Sequence, residues 1–129
     1  MRHCLLPLLL FVVLAIVPGA VPAGQTSPRR VVEVTAERFE FWPSEIAVET
    51  GEEIELRVTS EDTIHGFRIQ GTDTNLIVPK RGKGETVGVF RAVRPGRYTF
   101  ECSRMCGAGH HFMRGVIVVR DRPAEPAAR

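Results

Sequence analysis

Only three cysteines, one tryptophan and one tyrosine occur in the 129 residues, and neither an internal repeat nor a long helical period runs through them. A helical bundle and a repeat solenoid are thereby excluded. Basic side chains are not interleaved with aromatics in any recognised motif, which sets nucleic-acid binding aside. No haem motif is present. The net charge is only +2, so neither sign dominates the chain. Long apolar runs are also scarce: one extends from Leu5 to Val17, with apolar character continuing to Ala23. It barely reaches the length of about 20 residues that a bilayer-spanning helix needs, and Pro7, Pro18 and Gly19 interrupt it.

That run has the order of a secretory signal: Arg2 gives a positive start, Leu5 to Val17 the apolar stretch, and Val21-Pro-Ala23 a small-residue cleavage site before Gly24. The expectation is a signal peptide over residues 1–23, cleaved on export to the periplasm. A single retained membrane anchor is the competing reading and makes membrane association possible. Removing it leaves 129 − 23 = 106 residues, enough for one domain and one core. Cys4 leaves with the leader. Only Cys102 and Cys106 remain, and in an oxidising compartment a disulfide between them is the plain alternative to any chemistry they perform.

Residues 24–30 read as a polar linker and residues 121–129 as a disordered Pro- and Ala-rich tail. Between them lies one domain, residues 31–120, built of short β-type runs: Val31–Ala36, Glu45–Val48, Glu53–Thr59, His65–Ile69, Asn75–Val78, Thr86–Phe90, Arg97–Cys102 and Gly115–Arg120. Alternation is clearest where Ile54, Leu56 and Val58 face one way and Glu53, Glu55 and Arg57 the other. Gly51, Gly71 with Asp73, Gly82 with Gly84, and Pro95-Gly96 mark turns. The pattern predicts an all-β sandwich. Tyr98 and Phe100 share a face with Cys102, so the strand carries an inward row to the point where the chain leaves the sheet.

Beyond that point comes Cys102-Ser-Arg-Met-Cys106-Gly-Ala-Gly-His110-His-Phe-Met113, a run rich in soft metal ligands. Cys106, His110 and Met113 would suit a mononuclear blue-copper site given one further histidine. Cys102 is then surplus. A second thiolate one short loop upstream lets both sulfurs face the same place and bridge two copper ions. Gly107, Ala108 and Gly109 carry little bulk, so backbone can wrap closely before His110. Met105 is expected to fill space.

From Glu61 to Val119 the chain resembles the binuclear CuA domain of cytochrome c oxidase subunit II. The resemblance rests on Ser60-Glu-Asp-Thr-Ile-His65-Gly-Phe, Arg94-Pro-Gly-Arg-Tyr-Thr-Phe100, the cysteine run and Met113-Arg-Gly-Val-Ile-Val-Val119. It implies a cupredoxin-like Greek-key β-sandwich and two copper ions bridged by Cys102 and Cys106. His65 and Met113 would belong to one copper, His110 and the backbone carbonyl of Arg104 to the other. His111 is out of register with the family pattern and reads as exposed or as lying behind the ligands. Where the family often has glutamate, Arg104 keeps the carbonyl and loses the carboxylate, so a neighbouring magnesium site is not expected. Phe39, Phe41 and Trp42 lie where the family has aromatics near its electron-receiving surface. Edge-strand packing explains them as well, yet Pro43 after Trp42 suggests exposure and makes Trp42 a possible point of electron uptake.

The implied function is electron relay, with no catalytic site in this chain. Electrons would come from a cytochrome c or a small copper protein and pass to the catalytic subunit of a haem-copper oxidase. The alternatives are a free periplasmic CuA carrier, a copper-delivery protein, or a structural zinc site on His65, Cys102, Cys106 and His110, which leaves Met113 without a role. Charge is uneven along the chain: residues 31–62 hold ten acidic and two basic side chains, residues 63–120 three acidic and ten basic. Arg68, Lys80, Arg81, Lys83, Arg104 and Arg114 are therefore candidates for steering an acidic partner.

Overall fold

A computed structural model describes residues 28–123. The leader assigned to residues 1–23, the first part of the linker and the end of the tail lie outside the described residues. Among the described residues nine strands follow one another: β1 (Arg30–Glu37), β2 (Glu40–Trp42), β3 (Glu45–Glu49), β4 (Glu53–Ser60), β5 (His65–Ile69), β6 (Asn75–Val78), β7 (Thr86–Arg91), β8 (Gly96–Glu101) and β9 (Arg114–Arg120). A single 3₁₀ turn, His110–Phe112, stands between the last two. Among the described residues no helix is long and apolar enough to cross a membrane.

One sheet has the order β2-β1-β4-β7 and the other β3-β9-β8-β5-β6. Most neighbours are antiparallel, but β1 runs parallel to β4 and β3 parallel to β9. The chain therefore crosses between sheets rather than meandering within one, and the result is the expected β-sandwich. β1 opens at Arg30, inside the segment read as linker, where Arg30 pairs with Ile54 and donates to the Glu52 carboxylate at 2.6 Å.

Alternation dictates the core. On β4, Ile54, Leu56 and Val58 are fully buried while their neighbours remain half-exposed. Phe41, Phe67 and Phe100 come from β2, β5 and β8 and meet with ring centroids 5.0–5.4 Å apart. Burying each such ring contributes about 1.5–3 kcal/mol. This cluster lies along the inward row that ends at Cys102. β5 departs from simple alternation, since His65, Gly66 and Phe67 are all buried. Gly66 is covered because a loop presses on it: a Cβ there would stand 2.9 Å from the backbone nitrogens of both Ser103 and Arg104.

β2 is the strand that the pattern of runs does not contain. Three residues with one inward side chain, Phe41, give alternation too short to read.

Candidate metal centre

The sequence-predicted ligands reach one place from three directions. β5 begins with His65, the loop after β8 carries Cys102 to Cys106, and the 3₁₀ turn with the start of β9 brings His110 and Met113. The ends of that loop are tied together, because the Cys102 amide donates to the Met113 carbonyl at 3.0 Å. Further in, the His110 amide donates to the Gly107 carbonyl at 3.1 Å and the Met113 amide to the His110 carbonyl at 3.2 Å. The loop thus fixes its own backbone before any metal binds.

Donor atoms form a continuous chain. His65 Nδ1 lies 3.8 Å from Cys102 Sγ, which lies 3.9 Å from Cys106 Sγ. Cys106 Sγ in turn lies 3.9 Å from His110 Nδ1 and 3.8 Å from Met113 Sδ. The Arg104 carbonyl faces the same space and accepts from the Cys102 thiol at 3.0 Å. Both cysteines are unbonded and buried, His65 and Met113 are buried, and His110 is half-exposed. All six groups named from the sequence therefore converge. Trp42 ends β2, paired with Thr35 and 75% exposed, and is not among the converging groups. His111 is exposed. Met105 does not fill space: flanking residues Cys102 and Cys106 turn inward, which leaves Met105 68% exposed on the outer side of the loop.

Burial, and next the neighbouring Cys102, push the Cys106 thiol up to about 11, while the Arg38 guanidinium works weakly the other way. Left to itself this thiol stays protonated at neutral pH. A soft metal ion supplies the positive charge that the surroundings withhold, and binding then releases the proton. Thiolate, imidazole and thioether together select copper over hard cations, so the residues present fit the group.

Two residues that sequence reasoning passed over complete the site. Asp62 Oδ1 lies 2.7 Å from His65 Nε2 and also accepts from the Thr63 amide at 2.6 Å. Burial opposes the charge of Asp62, but hydrogen bonds from His65, Thr63 and Arg38 outweigh it and hold the carboxyl at about 2. Nε2–H donation to Asp62 leaves Nδ1 as the lone-pair nitrogen facing the sulfurs, as a metal ligand requires. Asp62 stands three residues before His65, and that spacing was the available signal. Arg38 is the second, donating from Nε to the Cys106 carbonyl at 2.5 Å across 68 residues of sequence; nothing local announces it.

A two-sheet sandwich with a buried set of soft donors at one end defines a copper protein of the cupredoxin class, and residues 7–119 match the cupredoxin-like domain family. Two Thermus thermophilus sequences described as cytochrome c oxidase subunit 2 are each 41% identical to this chain over 109 residues. The match takes in 81% of this chain but 78% of one relative and only 63% of the other. Among solved structures, a haem-copper terminal oxidase dimer has a chain 31% identical, with a TM-score of 0.59 over 70% of this chain and 65% of that one. The periplasmic domain of subunit II of the Bradyrhizobium japonicum cytochrome oxidase shares the fold, with a TM-score of 0.65, 19% identity, and coverage of 71% and 84%. The chain belongs to the cytochrome c oxidase subunit 2 family.

Proposed function

We propose that this protein is the electron-receiving, subunit-II-like module of a haem-copper oxidase and relays electrons through a binuclear CuA centre held by His65, Cys102, Arg104, Cys106, His110 and Met113. The observation that carries this reading is the unbroken row of donors in which two unbonded thiols, 3.9 Å apart, lie between two imidazoles. When bound, the two copper ions supply a one-electron couple shared between them. The chain's own part is to hold the donors. Cys102 and Cys106 would be shared by both ions, His65 and His110 would each hold one, and Met113 and the Arg104 carbonyl would be the weaker donors. Loop hydrogen bonds and the strand ends keep these positions fixed, so little has to move when charge changes. Burial excludes water from the sulfurs. The donors are fully used in this scheme, which leaves the protein no place for substrate chemistry.

A cytochrome c or a small copper protein is the proposed donor, with exposed Trp42 as its possible point of contact, and the oxidase catalytic subunit is the acceptor. The location is periplasmic, with residues 1–23 acting as signal peptide or anchor. A free CuA carrier differs only in its acceptor.

Copper content and the electron paramagnetic resonance spectrum of copper-loaded protein test the centre. Two coppers per chain with a seven-line delocalised signal are expected, and Cys102→Ser is expected to reduce the content to at most one copper with a four-line signal. One copper in the wild type, or zinc alone, would overturn the reading.

A further inference from the structure

We infer that Arg38 is a positioning residue for the copper pair, joining the loop that carries the cysteines to the segment that carries His65; this rests on the reading just given. Arg38 and Phe39 form the turn between β1 and β2, far from every ligand in sequence. Yet Arg38 Nε donates to the Cys106 carbonyl at 2.5 Å, and the Arg38 amide donates to Asp62 Oδ2 at 3.2 Å. The guanidinium also approaches Asp62 Oδ2 at 4.0 Å. Asp62 grips His65 Nε2 at 2.7 Å. One residue therefore touches the backbone of one bridging cysteine and the carboxylate that orients the histidine at the opposite end of the donor row.

Phe39 completes the clamp. Its ring lies against Gly107 and Gly109, where a Cβ at Gly109 would overlap it and one at Gly107 would stand 2.9 Å from its edge. The turn covers the loop between Cys106 and His110 and leaves no room for it to lift. No strand pairing holds that stretch of loop, so the turn is its external brace. Losing a hydrogen-bonding group behind a metal ligand commonly costs about 10- to 100-fold in metal affinity.

The Arg38 charge adds a second effect with a definite sign. A fixed positive charge beside a bridging thiolate disfavours the oxidised, more positive state of the pair and raises its reduction potential. The Arg38 side chain is 48% exposed, so solvent screens part of this. The hydrogen bond to the Cys106 carbonyl is unaffected by that screening and sets the geometry.

The test compares wild type with Arg38→Met and Arg38→Lys, each copper-loaded, by copper content, reduction potential and rate of copper loss to a chelator, with melting of the copper-free proteins as control. In Arg38→Met the expected result is a lower potential and copper loss roughly tenfold faster. Arg38→Lys keeps the charge and is expected to recover the potential more fully than the retention. Wild-type potential and retention in Arg38→Met would overturn the inference while leaving the copper centre intact. So would a lower melting temperature with neither property changed, because that marks a purely structural role. A wild-type protein that takes up no copper would remove both the inference and the function it rests on.

Discussion

At the scale of the residue, what separates this site from an ordinary buried cluster is the company each donor has. His65 is fully buried, a position in which an imidazole without a partner for its second nitrogen would be costly. Asp62 is that partner, and its charge is held by three donors at once: His65, the Thr63 amide and the Arg38 amide. The consequence for stability has a direction. The folded carboxyl, at about 2, lies below its ordinary value of 3.8, so the folded state gains from the charged form at every pH above 3.8. That gain is lost as pH falls through about 2. Acid unfolding of the copper-free domain, followed by near-ultraviolet circular dichroism, is expected to steepen across this window. Asp62→Asn is expected to be less stable at neutral pH and flatter between pH 3.8 and 2. An identical acid profile for the two proteins would show that Asp62 does not carry this charge in the folded state. In the copper-loaded form the same variant exchanges a charged acceptor for a neutral amide oxygen at the Nε2 proton of His65, so its copper is expected to be held less tightly.

At the scale of the element, the site depends on how closely one segment lies on another. Gly66 in β5 follows His65 and is overlaid by Ser103 and Arg104, the part of the ligand loop that supplies the carbonyl donor. Backbone nitrogens 2.9 Å from a hypothetical Cβ cannot rotate away as a side chain would. Gly66→Ala is therefore expected to destabilise the domain by about 1–3 kcal/mol, measured by denaturant unfolding, and to displace the Arg104 carbonyl. A loss within 0.5 kcal/mol, of the order seen at unconstrained surface positions, would mean that the loop is free to shift. Packing of this kind also marks the boundary of what sequence reveals. The eight runs from Val31–Ala36 to Gly115–Arg120 were legible as β-type stretches between turn residues, with alternation recording the buried face most clearly on β4 and not on β5. Ligands within the cysteine run were legible because their identities and spacing lie in one short stretch. β2 was not among those runs, having a single inward residue, although edge-strand packing was a reading of Phe39, Phe41 and Trp42 that the buried Phe41 bears out; the turn at His110–Phe112 was hidden behind a Gly-Ala-Gly stretch that reads as open loop. Arg38 was invisible for a different reason: its partner Cys106 is 68 residues away and the bond ends on a backbone carbonyl, which leaves no trace in residue identity.

For the whole molecule, the uneven charge along the chain is largely rearranged by folding. Arg81, Arg91, Arg97 and Arg122 pair with Glu61, Glu53, Glu45 and Glu49, so basic residues from the second half meet acidic residues from the first. These exposed pairs contribute little stability, about 0–1 kcal/mol each. Their larger effect is to interleave the two signs over the surface. Of the cations considered for steering, Arg68 is also committed, to Glu101 on the neighbouring strand β8. Lys80, Lys83, Arg104 and Arg114 enter none of the ion pairs formed among the described residues. Two of these four, Arg104 and Arg114, belong to the ligand loop and its exit into β9. Arg104 and Arg114 are therefore expected to make the field at the ligand loop positive, against Glu37 and Glu40, exposed on either side of the covering turn and likewise in none of those pairs. Reduction of the copper-loaded protein by a small anionic reductant, followed by stopped flow, is expected to slow several-fold as salt rises from about 10 to 200 mM, over which the screening length shrinks from about 30 Å to under 10 Å. Arg104→Glu keeps the carbonyl donor and reverses the charge, so it is expected to retain its copper while losing most of that salt dependence. A wild-type rate that is flat or rises with salt would show that Asp62 and the other carboxylates near the loop cancel the two arginines. Partner choice would then rest on the exposed apolar side chains Trp42, Met105 and Phe112.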